Sequence, residues 1–313
     1  MTKAFVRRDD NSKNTSKKSR LRIKRSTIFI ILMLLYPVLQ FLIMWFGVNI
    51  NSIFLTFQVP KGSKLVWVSF SNFFENYKNV ILDFSNPSVK QMYVNSLAYL
   101  VLNCFITLPV SLFFAYFIFK KIYAGGVFKT IFYLPSVLPI VALTIVFKYL
   151  FAAQGLLSPV FDLIGMDSAS FFIGENAKWM VWIFCFWTGI GYDVMLLTSG
   201  MSRIPRDLLE SAKMDGVSPI KEFLFVIVPL TWPTITTLFI FGMMGVFGTY
   251  LQPMLLTGKT DVTNTIGLEI FIQAQGVTKN YPATMGLICT IVATPIVLGV
   301  RGFLNHFFKE VNF

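Results

Sequence analysis

Six long apolar stretches, separated by polar ones, set the pattern of this chain. They run from about Thr27 to Val48, Tyr93 to Phe119, Thr130 to Phe151, Trp179 to Ser199, Thr234 to Leu256 and Ala283 to Phe303. Each meets the ~20 residues an α-helix needs to cross ~30 Å of hydrocarbon. The pattern predicts an all-α membrane protein with six transmembrane helices. A cleaved signal peptide is the rival reading of the first stretch. Its apolar run is longer than a signal core, and no small-x-small cleavage site follows before Asn51. The segments follow as a tail (1–26), a first span (27–48), an outward loop (49–92), a five-helix core (93–303) and a C-terminal segment (304–313).

Between the fourth and fifth spans the pattern inverts. Residues 204–229 are polar and helix-forming although apolar spans flank them. Pro205 suits a first helical turn, where its missing N–H is no loss, and Arg206 to Met214 are mostly good helix formers. Asp215-Gly216 stops that helix, because glycine accepts the left-handed backbone of a helix C-terminus. Ser218 is placed to cap a second helix with Pro219 at its first position. Pro229 and Pro233 then mark the entry to the fifth span. Leu208, Leu209 and Ala212 share one apolar side, and Glu210 and Lys213 are spaced for an i,i+3 pair. Ordering ~25 residues is entropically expensive unless they pack against something. Two short amphipathic helices held in this loop are thus expected to serve a soluble partner. A DNA-reading helix-turn-helix needs a free recognition helix, and here both ends are tied to spans.

Lys and Arg give the orientation. With a cytoplasmic N-terminus, the inner side carries the run from Lys3 to Arg25, then Lys120, Lys121, Lys129, Arg203, Arg206, Lys213, Lys221, Arg301 and Lys309. The outer lysines are spread over longer loops, so the positive-inside rule is met. Both termini and the loop Met201 to Val228 are then cytoplasmic, in a multi-pass protein of the cell membrane. In the outward loop, Trp67, Phe70, Phe73, Phe74 and Tyr77 are spaced for one face of an interfacial helix. Membrane-surface packing explains them better than direct contact with a partner.

Composition agrees with this picture. The chain is 55% hydrophobic and only 13% charged, against about a quarter charged in soluble domains. The net charge of +12 sits largely in the N-terminal run, which reads as an orientation signal and a contact for anionic lipid. Nucleic acid is not implied. Catalytic chemistry finds little support: His306 is the only histidine, and Cys104, Cys185 and Cys289 fall in separate apolar spans as packing residues. Neither a disulfide nor a metal set is expected. Gly258-Lys259-Thr260 is not a phosphate loop, since the glycine required five residues earlier is Pro253. Asp193, in the fourth span, is costly in a membrane and should face a cavity or a partner. One reading makes it a functional group lining a polar pathway, with the rings of Trp187 and Tyr192 beside it in sequence. The other makes it structural. Tyr250 and Gln252, at the outer end of the fifth span, are further pathway candidates, whereas Gly242, Gly245 and Gly248 suit close helix contact.

The residues resemble a known family. Glu210-Ser211-Ala212-x-x-Asp215-Gly216, nine residues, then Val226-x-Val228-Pro229 is similar to the EAA signature of ABC importer permeases. Glu210, Ala212, Gly216 and Pro229 match outright, while Ser211, Val226 and Val228 depart conservatively. Asn95-Ser96-Leu97, Phe128-x-x-Ile131-Phe132-Tyr133-Leu134-Pro135 and Leu256-Thr257-Gly258 resemble pieces of the sugar branch, the maltose and glycerol-3-phosphate permease type, in matching order from Phe70 to Phe303. The resemblance implies a type I importer permease fold. It also implies a second homologous permease, a cytoplasmic ABC ATPase dimer holding ATP and Mg, and an extracytoplasmic solute-binding protein that delivers a carbohydrate. No cofactor belongs to this chain, and it is no enzyme itself. In such a machine Glu210 carries an ionic contact to the ATPase and Gly216 the sharp turn. Leu208, Leu209 and Phe223, by their amphipathic placement, form the apolar docking surface. The same machine for another solute such as glycerol phosphate, or a membrane-anchored receptor or regulator, are the competing readings.

Overall fold

The computed structural model describes residues 25–61, 64–69, 72–276 and 278–307. Most of the basic tail, Phe70 and the end of the C-terminal segment lie outside the described residues. The chain forms two compact units, 1–51 and 52–313. The first contains most of helix α1 (Thr27–Leu55). Its side chains are apolar on every side, Leu32, Tyr36 and Ile43 among them, so hydrocarbon is its fitting solvent.

The second unit opens with an antiparallel hairpin, β1 (Gln58–Lys61) and β2 (Lys64–Trp67), paired Gln58 to Trp67 and Lys61 to Lys64. Helix α2 (Glu75–Asp83) follows. The five aromatics expected on one helical face are therefore split: Trp67 lies in β2, Phe73 and Phe74 precede α2, and Tyr77 is in it. They still cluster, for Phe73 stacks on Phe57 at 4.2 Å and Tyr77 meets Phe57 at 6.0 Å. The reason for the split is local. Asn76 donates to the carbonyls of Thr56 and Gln58 at 2.7 and 2.8 Å, which binds α2 to the start of β1.

The core comprises α3 (Pro87–Phe119), α4 (Gly125–Val137), α5 (Ile140–Phe151), the short α6 (Ser158–Leu163) and α7 (Asn176–Met201). After it come α8 (Arg206–Met214), α9 (Pro219–Gly248), α10 (Leu251–Thr257), α11 (Ile266–Ala274) and α12 (Asn280–Phe307). Among the described residues five single helices are long and apolar enough to span, and the α4–α5 pair makes a sixth span if counted as one.

That pair corrects the third expected span. Its two helices meet at 109°. Pro139 removes a ladder N–H, and Leu138 before it is forced into the extended region (φ −78°, ψ 146°). The fifth span is also different. It starts at Pro219 and breaks after Gly248, leaving Leu251 to Thr257 as a separate helix. Pro229 and Pro233 thus lie inside a continuous helix. A π-helical stretch, Phe223–Ile227, stands just before Pro229, and another, Val101–Thr107, just before Pro109 in α3. The wider turn makes room for a ring that would otherwise strike the carbonyl one turn back.

Lipid is as apolar as leucine, so the bundle is held by close packing and hydrogen bonds rather than by a hydrophobic gain. Gly191 of α7 lies so near α4 that a Cβ there would sit 1.9 Å from the Phe132 carbonyl oxygen. Gly242 and Gly245 of α9 face Cys104 and Asn103 in the same intimate way, while Gly248 faces open space. One core cluster, with Tyr116, Leu197, Met201, Ile204 and Ile227, lies toward the 202–218 end. A second, with Tyr99, Phe147, Phe184 and Leu256, lies toward the opposite end. The three cysteines are free thiols in separate helices, and His306 is exposed near the end of α12.

Candidate functional site

The 204–229 loop is ordered by its own sequence. Pro205 stands at the N-cap, one residue earlier than expected, and α8 follows with Asp207 in its first turn and Lys213 in its last, the signs that suit a helix dipole. Gly216 ends it with φ +72°. The Gly216 amide donates to the Lys213 carbonyl at 3.1 Å and the Val217 amide to the Ala212 carbonyl at 3.2 Å. These two bonds form a Schellman cap, which satisfies carbonyls that a free helix end leaves orphaned. Ser218 has the extended N-cap backbone, but its side chain makes no capping bond.

The expected apolar surface divides in two. Leu209 and Phe223 turn inward and pack on the core beside buried Ile204. Leu208 stays outside at 42% exposed, and Ser211, Asp215 and Gly216 are exposed with it. Ala212 and Pro229 are half-buried. The physical reason is that α8 is amphipathic and the bundle is its nearest apolar neighbour, so the richer face closes on the bundle. Met214 and Ile220, 87% and 73% exposed, flank the turn and form the outer apolar surface with Leu208. Their signal in the sequence was two apolar residues beside Gly216 in an otherwise polar loop. Glu210 is exposed, and among the described residues neither it nor Lys213 enters an ion pair.

The loop is fixed to α3 by a cluster not expected from the sequence. Lys120, at the end of α3, pairs with buried Glu222 at 2.5 Å. The Tyr116 hydroxyl donates to the Pro219 carbonyl at 3.1 Å, and the Tyr116 and Phe223 rings are 5.0 Å apart. The start of α9 is thereby tied to α3 by charge, hydrogen bond and ring contact together.

At the other end, two separated sequence pieces meet. Asn95 is buried in α3 and donates to the carbonyls of Asp261, Val262 and Asn264 at 3.3, 2.9 and 3.0 Å. The Ser96 hydroxyl accepts from the Ile266 amide at 2.8 Å. The 257–265 turn is thus clamped to α3. Lys259 pairs with Glu269 of α11, which also accepts from Asn264 and Gln273. Burial alone would raise the Glu269 carboxyl, but the bonds from Lys259, Gln273 and Asn264 together hold it below the ordinary carboxylate value.

Of the five pathway candidates, Trp187, Tyr192 and Asp193 lie on α7, and Tyr250 and Gln252 lie at the start of α10. Trp187 stacks on Phe147 at 6.1 Å and packs in the second core cluster. Tyr250, in the break between α9 and α10, stacks on Phe271 at 4.7 Å. Tyr192 is exposed, and Gln252 is half-buried. Asp193 is half-buried. No ring contact or hydrogen bond among the described residues links Trp187, Tyr192 or Asp193 with Tyr250 or Gln252.

Residues 107–312 match the model of the family described as the binding-protein-dependent transport system inner membrane component. The chain belongs to that family. It is 26% identical over 283 residues to the probable ABC transporter permease protein YurN of Bacillus subtilis, covering 88% of this chain and 94% of YurN. To the arabinooligosaccharides transport system permease protein AraP of Halalkalibacterium halodurans it is 21% identical over 285 residues, covering 87% and 86%. The crystal structure of a bacterial alginate ABC transporter in complex with an alginate pentasaccharide-bound periplasmic protein contains a chain that superposes with a TM-score of 0.77. That match is at 19% identity over 92% of this chain and 97% of the other, and it establishes the type I importer permease fold. The protein is accordingly a multi-pass ABC permease.

Proposed function

We propose that this permease is the transmembrane subunit of an ATP-driven importer for a sugar or oligosaccharide. The relatives named for arabinooligosaccharide and alginate transport support the solute class. An extracytoplasmic binding protein delivers the solute, and a second, homologous permease completes the cavity. ATP and Mg stay on a cytoplasmic ATPase dimer that meets the 202–218 end, and both termini are cytoplasmic.

One observation carries the coupling role: α8 is a capped helix with an exposed outer face, held to the bundle by Leu209, Phe223 and the Lys120–Glu222 pair. Glu210, Ser211, Asp215 and Leu208, joined by Met214 and Ile220, lie on the side open to a partner. Ala212, Gly216 and Pro229 shape the loop. Closure of the ATPase dimer on ATP pulls this loop, and the bundle passes from inward-open to outward-open. Moving such an equilibrium from mostly one state to mostly the other takes ~5.5 kcal/mol of differential binding. Trp187, Tyr192, Asp193, Tyr250 and Gln252 remain candidates for the solute path.

Co-purification with the ATPase tests the docking. Glu210→Lys and Gly216→Pro should each release it, and an intact complex in both variants would refute the assignment. Uptake of labelled sugars against glycerol phosphate in vesicles separates the solute classes.

A further inference from the structure

A cavity of about 640 Å³ opens beside the 202–218 end, between the end of α3, the start of α4 and the α7–α8 corner. Lys120, Lys121, Lys129 and Arg206 line it, and no acidic side chain does. Lys120 is already matched by Glu222. Lys121, Lys129 and Arg206 enter no ion pair among the described residues. Three uncompensated cations around one concave space repel one another, and an anion seated among them relieves that repulsion. The volume falls in the range of small-molecule sites rather than that of a single ion.

The surroundings favour one source of that anion. The cavity sits where α3 ends and α4 begins, the depth at which a span meets the headgroup layer. Directly beyond it, Val127, Phe128 and Ile131 of α4 are apolar and exposed. A ligand held here thus has a charged pocket for its head and an apolar helix face for its chains. We propose that this cavity binds the phosphate headgroup of an anionic lipid, wedged between the α3–α4 turn and the base of the loop that carries α8. Because Arg206 and Leu209 of α8 line the same space, an occupied cavity also buttresses α8. The inference does not depend on which solute is carried.

The test uses the intact transporter in nanodiscs of phosphatidylcholine doped with phosphatidylglycerol, with retained lipid counted by native mass spectrometry. The wild type should retain phosphatidylglycerol preferentially. The triple variant Lys121→Gln, Lys129→Gln, Arg206→Gln should lose that preference by about 100-fold, each cation near the surface contributing about five-fold. A Lys121→Arg, Lys129→Arg variant, which keeps the charge, should retain it. No preference in the wild type, or an unchanged preference in the triple Gln variant, overturns the proposal. Displacement of the lipid by millimolar inorganic phosphate would overturn the lipid assignment in favour of a soluble anion.

Discussion

Replacing Glu222 by Gln keeps the shape of the side chain and removes the charge that fastens the α8–α9 loop to α3. Glu222 is 11% exposed at its side chain and Lys120 36%, at a separation of 2.5 Å. Breaking a fully buried pair costs about 3–5 kcal/mol, and an exposed one about 0–1 kcal/mol. With one end buried and the other at the surface, about 2 kcal/mol is the reasonable middle. That is a factor of about 30 in any equilibrium the pair controls. If the pair holds the loop in register with the bundle, ATP turnover should persist while solute uptake per ATP falls toward that factor. Proteoliposomes containing the complete importer report both quantities at once. The exchanged pair Lys120→Glu with Glu222→Lys should recover most of the loss, and Tyr116→Phe should add a smaller defect of about 1 kcal/mol for one hydrogen bond. Wild-type coupling in Glu222→Gln, or an exchanged pair no better than the single variants, would refute this reasoning.

Three other outcomes follow from the same structure. Asn95→Leu removes three bonds to the 257–265 turn and leaves its carbonyls unpaired, so the thermal midpoint in detergent should drop by several degrees, whereas Val94→Ala on the exposed side of the same helix should not. Gly191→Ala places a methyl against the Phe132 carbonyl and should reduce assembled protein more than Gly248→Ala, whose site is open; equal yields would contradict the packing. The Glu269 carboxyl is held below its ordinary value, so its contribution is present above the unfolded value of about 4.3 and is lost as pH falls through the lower folded one; stability measured between pH 6 and 3 should show an acid loss that Glu269→Gln abolishes.

The spans were readable in the sequence because run length alone reports a membrane helix. The turn at Gly216 was readable because only a few residue types accept its backbone. What escaped had physical reasons. Hydropathy does not register direction, so the right-angle bend at Leu138 and Pro139 was absorbed into one apolar run. Pro229 and Pro233 look like a helix entry, yet the helix runs on through both, with a π turn ahead of Pro229. Glu222 and Lys120 lie 102 residues apart, and no local spacing announces a pair formed by tertiary packing. The apolar side of α8 was found, but amphipathicity alone does not say whether that side closes on the bundle or on a visitor. Asn95-Ser96-Leu97 and Leu256-Thr257-Gly258 stand in the sequence as separate pieces, and only folding shows that Asn95 clamps the turn that follows Gly258.

Helix α9 has 30 residues with no loop between its polar beginning and its apolar body. At 1.5 Å per residue it is a rod of roughly 45 Å. A tilt of roughly 10° about one end sweeps the other through roughly 8 Å on that length. A small push applied beside Pro219 is therefore geared up across the bilayer, and it passes through the widened turn ahead of Pro229 on the way. Slack inserted there, such as a pair of glycines, should let the ATPase stroke proceed while its mechanical output never arrives at the far side.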